Sequence, residues 1–284
     1  MNFVFANNIF WSKQFDISVI YDIIICICKL EWNDYAMTDL HTHILYDLDD
    51  GSESIEMSVK MLEIAKKNGT DNIVLTPHSN IPNGYINYMS DVIVRRFENL
   101  KKVSLEREIG INIYLGMEVY ASNDIDRLIM DGAVITLNKS RYLLIEFPFQ
   151  ADPLWVSNIL AKVQNIGVVP LIAHPERYAF VQRFPYMVYD WVSNGCLVQI
   201  NRGSILGRFG ETAKDVVNLL IKHNLVCAVA SDGHKPHRRI PVLNDSYDLV
   251  SKYFGVQYAQ KIFSVNPETI LNNKPIKRSR IIPF

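Results

Sequence analysis

The feature that most limits the fold of this chain is a repeated alternation of short, β-rich apolar runs with amphipathic stretches of helical period. Seven runs are predicted as strands: MTDLHTH, DNIVLTPH, INIYLGMEVY, RYLLIEF, VVPLIAH, CLVQIN and LVCAVASDGH. Amphipathic stretches separate them, the first with Ser52 as its candidate N-cap and Gly69 as its stop. Such alternation predicts parallel strands joined by right-handed crossovers, and therefore an α/β protein.

Each predicted strand delivers a polar or ionisable residue at its carboxyl end. A (β/α) barrel builds its active site from these ends, whereas an open doubly wound sheet would also alternate but would gather ligands from fewer strands. The chain has 284 residues, 49% of them hydrophobic, which is enough for one large core. The sequence therefore predicts a single-domain, TIM-like barrel.

The residues at the strand ends share one chemistry, since all carry nitrogen or oxygen donors of borderline or hard character. They are His41, His43, Asp50, His78, Glu118, Glu146, His174, Asp232 and His234. Any one of them has an ordinary explanation, such as a buried histidine bonded to a carbonyl or a carboxylate capping a helix. Nine at successive strand ends favour a cluster of two or three divalent ions, of manganese, iron or zinc.

The charge balance and the cysteines indicate which classes of partner and which cellular compartment to expect. Lys plus Arg number 29 and Asp plus Glu number 30, so no global field predicts nucleic acid or an anionic membrane surface as a partner. Cys196 and Cys227 lie in apolar runs, and nothing indicates a disulfide framework. These features predict a cytoplasmic protein.

Residues 1–36 differ from the rest of the chain. Their apolar run, residues 17–30, contains Asp22, is short for a membrane span, and lacks the features of a secretory signal. Cys26 and Cys28 without further partners are weak evidence for a metal site. We interpret residues 1–36 as a dispensable extension, with Met37 suited to be an initiator. A weak membrane or partner anchor is the alternative.

The motifs together carry a family resemblance. The series DLHTHILYDLDDGS, TPH, GMEVY, LIEFP, AHPERY, QINRGSILGRFG and ASDGH resembles the PHP (polymerase and histidinol phosphatase) superfamily. Within it, the chain resembles the CpsB/YwqE-type bacterial protein-tyrosine phosphatases associated with capsular and exopolysaccharide regulation. The similarity covers residues 37–273 and leaves the basic tail, residues 274–284, outside. It implies a distorted (β/α)7 barrel with a trinuclear, usually manganese-dependent site.

The resemblance also implies an allocation of the ligands. The first ion would take His41, His43, Glu118 and Asp232. The second would share Glu118 and add His78 and His174. The third would take Asp50, Glu146 and His234.

The same resemblance places arginines against a substrate phosphate. Arg177 in HPERY and Arg239 in HRRIP match those positions, and Arg238 is a neighbouring substitute for Arg239. His234 or Asp50 is the candidate donor of a proton to the leaving group, and the sequence does not choose between them. The Cys-x5-Arg loop of cysteine-dependent tyrosine phosphatases is absent, and Cys196 and Cys227 lie in predicted strands.

The resulting functional hypothesis is a metal-dependent protein-tyrosine phosphatase acting on a tyrosine kinase of capsule or exopolysaccharide synthesis; the kinase is implied by the resemblance alone. A small-molecule phosphatase of the histidinol-phosphate kind is the nearest alternative. A phosphodiesterase or nuclease is a weaker one, and a non-catalytic binding module on a PHP barrel is the alternative of another class.

Several tyrosines fall in or near the loops expected around the site, where they could either grip a phosphotyrosine ring or serve in ordinary packing. They are Tyr85, Tyr88, Tyr120 and Tyr178. Asn201 and Ser204 could bind substrate or shape their loop, and we do not count them as catalytic.

Overall fold

The computed structural model of the protein describes residues 36–277 and 280–284. The interpretation of residues 1–36 as an extension, and the weak metal hypothesis for Cys26 and Cys28, therefore lie almost entirely outside the described residues. Met37 is already the first residue of a strand.

Within the described residues the chain forms nine short strands, all paired in parallel. They are β1 (Met37–Thr42), β2 (Thr70–Leu75), β3 (His78–Ser79), β4 (Asn112–Leu115), β5 (Glu118–Tyr120), β6 (Tyr142–Glu146), β7 (Val169–Ala173), β8 (Leu197–Asn201) and β9 (Ala228–Ala230). The order β1-β2-β4 forms one sheet and the order β3-β5-β6-β7-β8-β9 forms the other.

These nine strands correspond to the seven predicted ones, because two predicted strands are interrupted. Thr76 and Pro77 separate β2 from β3, and Gly116 and Met117 separate β4 from β5. Proline has no amide hydrogen for the ladder, which accounts for the first interruption. Pairing continues across both gaps, since Gly116 N donates to Leu75 O and Glu118 N donates to Pro77 O.

The two sheets close into a distorted barrel. A parallel bridge joins Thr42 at the end of β1 to Gly233 beyond β9, and His43 N donates to Gly233 O at 2.8 Å. On the other side, the short 3-10 turn Leu137–Lys139 contacts both β4 and β6. The predicted distorted (β/α)7 barrel is therefore confirmed.

The helices of the same part of the chain follow the strands, as predicted. They are α1 (Ile55–Lys67), α2 (Asp91–Glu106), α3 (Ile125–Met130), α4 (Pro153–Asn165), α5 (Ala179–Arg183), α6 (Tyr186–Ser193), α7 (Arg202–Ile205), α8 (Glu211–Lys222), α9 (Asn244–Phe254), α10 (Val256–Gln260) and α11 (Asn266–Leu271). A π-helical turn, Lys261–Val265, joins α10 to α11. None of these helices is long and apolar enough to cross a membrane.

The predicted N-cap of the first helix is wrong by two residues. Ser54, not Ser52, caps α1, because its side chain accepts a hydrogen bond from Met57 N. Ser52 is buried, and its hydroxyl donates to Ser54 O and accepts from Ser58. The predicted stop is confirmed, since α1 ends before Gly69, whose φ of 87° suits glycine.

The core has two parts. The larger cluster packs the helices against the outside of the sheets, and it includes Leu62 and Val163. A smaller cluster contains Leu144, Leu171 and Leu197. Leu144 lies two residues before Glu146 on the same strand, so it points to the same face and fills the barrel beneath the polar strand ends. We call this smaller cluster the floor of the barrel.

Candidate metal centre

His41 near the end of β1 and His43 just after it lie at the end of the barrel where the strands have their carboxyl ends, which we call the mouth. Residues 39 to 42 of β1 pair across residues 73 to 75 of β2, so β1 carries an extra residue at this point. Such bulges redirect side chains next to active sites. The Nε2 atoms of His41 and His43 lie 3.2 Å apart, and both rings are fully buried.

Glu118 is the centre of the cluster. Its Oε2 lies 3.2 Å from His41 Nε2 and 3.3 Å from His43 Nε2. The same oxygen lies 2.9 Å from His78 Nδ1, and Oε1 lies 3.0 Å from His174 Nε2. One buried carboxylate at the start of β5 therefore faces four imidazoles.

Asp232 approaches from the opposite side of the mouth, just beyond β9. Its Oδ1 lies 3.6 Å from His41 Nε2, 3.4 Å from His43 Nε2 and 3.5 Å from His234 Nδ1. Its Oδ2 accepts a hydrogen bond from Asn201 Nδ2 at 2.7 Å. Asp232 thus turns one oxygen toward the histidines and the other toward neighbouring donors.

The remaining candidates complete the outer side of the cluster. Asp50 Oδ1 lies 3.6 Å from His78 Nε2 and 3.4 Å from His234 Nε2. Glu146 Oε1 lies 3.7 Å from His174 Nε2. The Asp50 side chain is half exposed, so this side of the cluster faces the solvent.

All nine predicted ligands come together in the structure. Their ligand atoms form four groups, each spanning less than 4.8 Å: His43, Asp50, His78 and His234; His41, His174 and Asp232; His41, His43 and Glu118; and His78, Glu118 and Glu146. The predicted allocation grouped Asp50 and His234 with Glu146, whereas here they group with His43 and His78. The division of the ligands among ions stays a prediction.

The side chains fit divalent ions on two observations. Donor atoms bonded to one ion at about 2.1 Å lie roughly 3 Å from one another, as they do around Glu118. Three buried ligand atoms also lack a hydrogen bond of acceptable geometry: His78 Nδ1, Glu118 Oε2 and His234 Nε2. Buried polar atoms without partners are costly, and binding an ion would satisfy those directed at it.

The electrostatics of the cluster also favour cations. Burial and the charge of Glu118 raise the pKa of Glu146 to about 8, which means that the site repels another negative charge. Burial lowers the pKa of His174 to about 4 and keeps this ring neutral, as a metal ligand must be. Burial opposes ionisation of Glu118, but the charges of His41 and His78 outweigh it and hold its pKa well below the usual value.

Sequence reasoning missed the residues that orient the ligands. His43 Nδ1 lies 2.7 Å from Asp49 Oδ2, and His41 Nδ1 lies 3.0 Å from Gln199 Oε1. These acceptors favour a proton on Nδ1 and leave Nε2 of each ring available toward the cluster. Asp49 was visible in the DLDDG motif, and Gln199 shares a strand face with Asn201, but only the tertiary structure brings either one to its histidine.

Two of the candidate ligands have unusual backbone conformations. His174 has φ 33° and ψ 54°, and Asp232 has φ 52°. Non-glycine residues in this left-handed region are uncommon and concentrate at functional sites. Asp232 is held there by a hydrogen bond from its N–H to His41 O at 3.0 Å.

The two predicted phosphate-binding arginines meet at Asp232. Arg177 Nη1 lies 3.3 Å from Asp232 Oδ2, and Arg239 Nη2 makes a close ion pair with the same oxygen. Both guanidinium groups keep part of their surface exposed at the mouth. Arg238 is exposed, so the structure brings Arg239 rather than Arg238 to the cluster. Their role in phosphate binding stays a prediction.

The four tyrosines differ in position. Tyr178 is fully buried, and its hydroxyl donates to Ala173 O and accepts from Phe147 N, so packing and not ring binding is its role. Tyr85 is partly exposed and its ring lies parallel to that of His78 at 6.1 Å. Tyr88 donates to Asn80 Oδ1, and Tyr120 is only partly buried.

Two polar residues of the QINRGS segment, Asn201 and Ser204, hold the loop and the carboxylate next to the histidine cluster. Glu176 is fully buried, and its Oε1 accepts from Asn201 N at 2.9 Å and from Ser204 Oγ at 2.6 Å. Asn201 in turn donates to Asp232. Asn201 and Ser204 therefore fix the loop and the carboxylate. Their omission from the catalytic set stays a prediction.

The family model and the similar proteins of known sequence point to the same family. The family model described as capsular polysaccharide synthesis, CpsB/CapC, matches residues 37–272. The chain is 35% identical over 243 residues to CapC of Staphylococcus aureus, a match that covers 85% of this chain and 94% of CapC. It is 30% identical over 256 residues to the tyrosine-protein phosphatase YwqE of Bacillus subtilis, with 87% and 100% covered.

Solved structures agree with this relationship. The structure matches one described with YwqE from Bacillus subtilis and CpsB from Streptococcus pneumoniae as metal-dependent tyrosine phosphatases, with a TM-score of 0.81 and 30% identity. That match covers 87% of this chain and 99% of the other. A lactonase from Listeria monocytogenes, at a TM-score of 0.58 and 12% identity, shares the fold alone.

Proposed function

Since the chain belongs to the CpsB/CapC family of capsular polysaccharide synthesis, we propose that it is a metal-dependent protein-tyrosine phosphatase. The observation that carries the proposal is the convergence of nine nitrogen- and oxygen-bearing side chains at the carboxyl ends of the barrel strands, beside two arginines. A phosphomonoester needs its charge neutralised and a nucleophile aligned with the leaving oxygen, and this arrangement serves both needs.

The cluster would hold two or three divalent ions, with Mn²⁺ as our preferred metal and iron or zinc as the alternatives. The holding residues are His41, His43, Asp50, His78, Glu118, Glu146, His174, Asp232 and His234. Divalent ions bound here supply charge neutralisation and a lowered pKa for water. Asp49 and Gln199 orient His43 and His41 so that Nε2 of each ring faces the cluster.

Arg177 and Arg239 bind the phosphate group of the substrate in this proposal. A guanidinium is always charged, cannot ligate a cation, and presents planar donors that match two phosphate oxygens at once. Asp232 Oδ2 anchors both arginines while its Oδ1 faces the histidines. The phosphate oxygens would therefore lie between the arginines and the histidine cluster.

For proton donation to the leaving phenolate, we retain His234 and Asp50 as the two candidates. Their side chains lie 3.4 Å apart, between Nε2 and Oδ1. His234 Nδ1 lies 2.9 Å from Asp232 O, which favours a proton on Nδ1, so His234 could donate a proton from Nε2 only as the imidazolium and when that atom holds no ion. Asp50 reaches the solvent side of the cluster, where the leaving group departs.

The proposed substrate is a tyrosine-phosphorylated protein in the cytoplasm, specifically a tyrosine kinase of capsule or exopolysaccharide synthesis. The proposal is supported by the capsular description of the family and by the phosphatase names of its relatives. The half-open side of the cluster at Asp50 also suits a phosphorylated side chain presented by a large partner.

A substrate panel on the metal-reconstituted protein tests this function. Chelated protein would be loaded separately with manganese, iron and zinc and assayed on a phosphotyrosyl peptide, histidinol phosphate and a phosphodiester. We expect turnover of the phosphotyrosyl peptide to exceed that of the other two. A preference for histidinol phosphate would favour the small-molecule alternative, and turnover confined to the diester would overturn the assignment.

A further inference from the structure

The geometry points to Phe149 and Phe209 as positioning residues that hold the guanidinium of Arg177 with its N–H edge available to the substrate phosphate. This inference rests on the proposed function, because Arg177 is the proposed phosphate ligand. The two phenylalanines come from different loops, one after β6 and one after α7. Neither belongs to the predicted metal or arginine set.

Both rings contact the guanidinium directly. The central carbon Cζ of Arg177 lies 4.9 Å from the ring centre of Phe149 and 4.4 Å from that of Phe209. These distances fall within the range of about 6 Å in which a guanidinium is attracted to the face of an aromatic ring. Arg177 is therefore held by two rings as well as by its contact with Asp232.

Each ring is itself fixed by the fold. Phe149 packs beside His174 and Tyr178, with ring centres 6.3 and 5.9 Å away, and its carbonyl accepts a hydrogen bond from Ala179 N. Phe209 lies on Gly203, where an added Cβ would come within 2.5 Å of the ring atom Cε2.

Gly203 has no positive φ, so its missing side chain serves this close contact and not an unusual backbone. The loop that carries Phe209 is also tied back by a hydrogen bond from Arg208 N to Gly203 O at 2.8 Å. The position of the Phe209 ring is thus built into the packing of α7.

Arg177 and Arg239 each contact Asp232 through a single terminal nitrogen. Arg239 makes a close ion pair from Nη2 to Asp232 Oδ2, and its Nε has no hydrogen-bond partner among the described residues. Among residues 36–277 and 280–284, the side chain of Arg177 makes one hydrogen bond, from Nη1 to Asp232 Oδ2, at 3.3 Å. Contact through the ring faces fixes a guanidinium without using its N–H groups. Arg177 therefore keeps most of its donors for a ligand.

The test uses the metal-loaded full chain and compares leucine variants in the wild type with the same variants in the Arg177→Ala background. Phe209→Leu and Phe149→Leu should each lower kcat/KM for a phosphotyrosyl peptide by about threefold to tenfold, and weaken inhibition by inorganic phosphate by a similar factor. In the Arg177→Ala background the same changes should have less than about a twofold effect, because the group they position is gone. Phe209→Tyr keeps the aromatic face and should recover most of the loss.

Phe184→Leu is the matched control, since Phe184 is 42% exposed, Phe149 is 41% exposed, and the ring of Phe184 packs on Tyr186. It should leave kcat/KM within about twofold of wild type. An equal loss from Phe209→Leu or Phe149→Leu in both backgrounds would show that the ring acts on substrate or folding directly, and would overturn the inference. So would the absence of any loss with Arg177 present.

A binding measurement separates this inference from the proposed function. Calorimetric titration of the metal-loaded protein with inorganic phosphate requires no turnover. If the wild type hydrolysed no phosphomonoester, the proposed function would fail, while the coupling between the phenylalanines and Arg177 could still be read from phosphate affinity. If phosphate affinity were unchanged in both leucine variants, the positioning role would be wrong even in an active phosphatase.

Discussion

The mouth and the floor of this barrel have opposite construction although the same strands build both. At the mouth, buried carboxylates and imidazoles crowd together, several ligand atoms lack hydrogen bonds, and His174 and Asp232 take left-handed backbone conformations. On the floor, strand side chains such as Leu144 and Leu171 are fully buried in an apolar cluster. The apolar floor contributes to stability, whereas the mouth is arranged for ligands that it must bind.

The largest expected effect is at the centre of the mouth. Glu118→Ala removes the carboxylate that faces four histidines, so metal content should fall and activity should drop by at least about a thousandfold. His174→Ala should behave alike. Metal analysis and circular dichroism would be recorded on the same samples, and the far-ultraviolet spectrum should stay that of the wild type. A variant with full metal load and full rate would remove Glu118 from the centre.

The next effect separates phosphate binding from metal binding within the mouth. Arg177→Ala should lower kcat/KM by about two to three orders of magnitude while metal stoichiometry stays near wild type, because a guanidinium stabilises developing charge but binds no cation. Arg177→Lys should fall between the two, since lysine restores charge without the planar donors. Near-normal turnover by Arg177→Ala would leave Arg239 as the phosphate ligand.

The floor should show the reverse pattern. Leu171 is fully buried and pairs with Leu144 across β7 and β6. Leu171→Ala should lower the free energy of unfolding by about 2–5 kcal/mol and leave kcat/KM within about threefold of wild type at temperatures where the variant is folded. Denaturant unfolding and steady-state kinetics would be measured together. A large loss of activity without a loss of stability would mean that the two ends are not separable.

The smallest effect is expected from deletion of residues 1–36, among which no ligand is predicted. Every proposed ligand lies beyond Met37, so deletion of residues 1–36 should leave hydrolysis of a phenyl phosphate unchanged. The intact chain is the control. Loss of folded, active protein on truncation would show that these residues belong to the fold and that Met37 does not begin it.

The order of elements and the residues at the strand ends could be predicted from the sequence, because both follow from local patterns. A β-rich run fixes a strand, and parallel strands present their carboxyl ends at one side of a barrel. The clustering of all nine candidate ligands could therefore be predicted without any knowledge of long-range contacts. The cap of α1 at Ser54, two residues from the predicted one, shows the limit of such patterns where several serines compete.

What the sequence did not predict depends on contacts between distant segments. Gln199 orients His41 across 158 positions of sequence, and Phe149 and Phe209 meet at Arg177 from two separate loops. The extra residue in β1 that redirects His41 is visible only in the pairing with β2. No local pattern carries this information, since each feature is a property of two segments together.

The most direct test of the metal centre is anomalous X-ray diffraction from crystals of the manganese-loaded wild type, with activity measured on the same preparation. Two or three manganese peaks should appear within the group of nine ligands around Glu118, and phosphotyrosyl peptide turnover should be lost when a chelator removes them. An absence of peaks among these residues in active protein, or full turnover after complete chelation, would contradict this prediction.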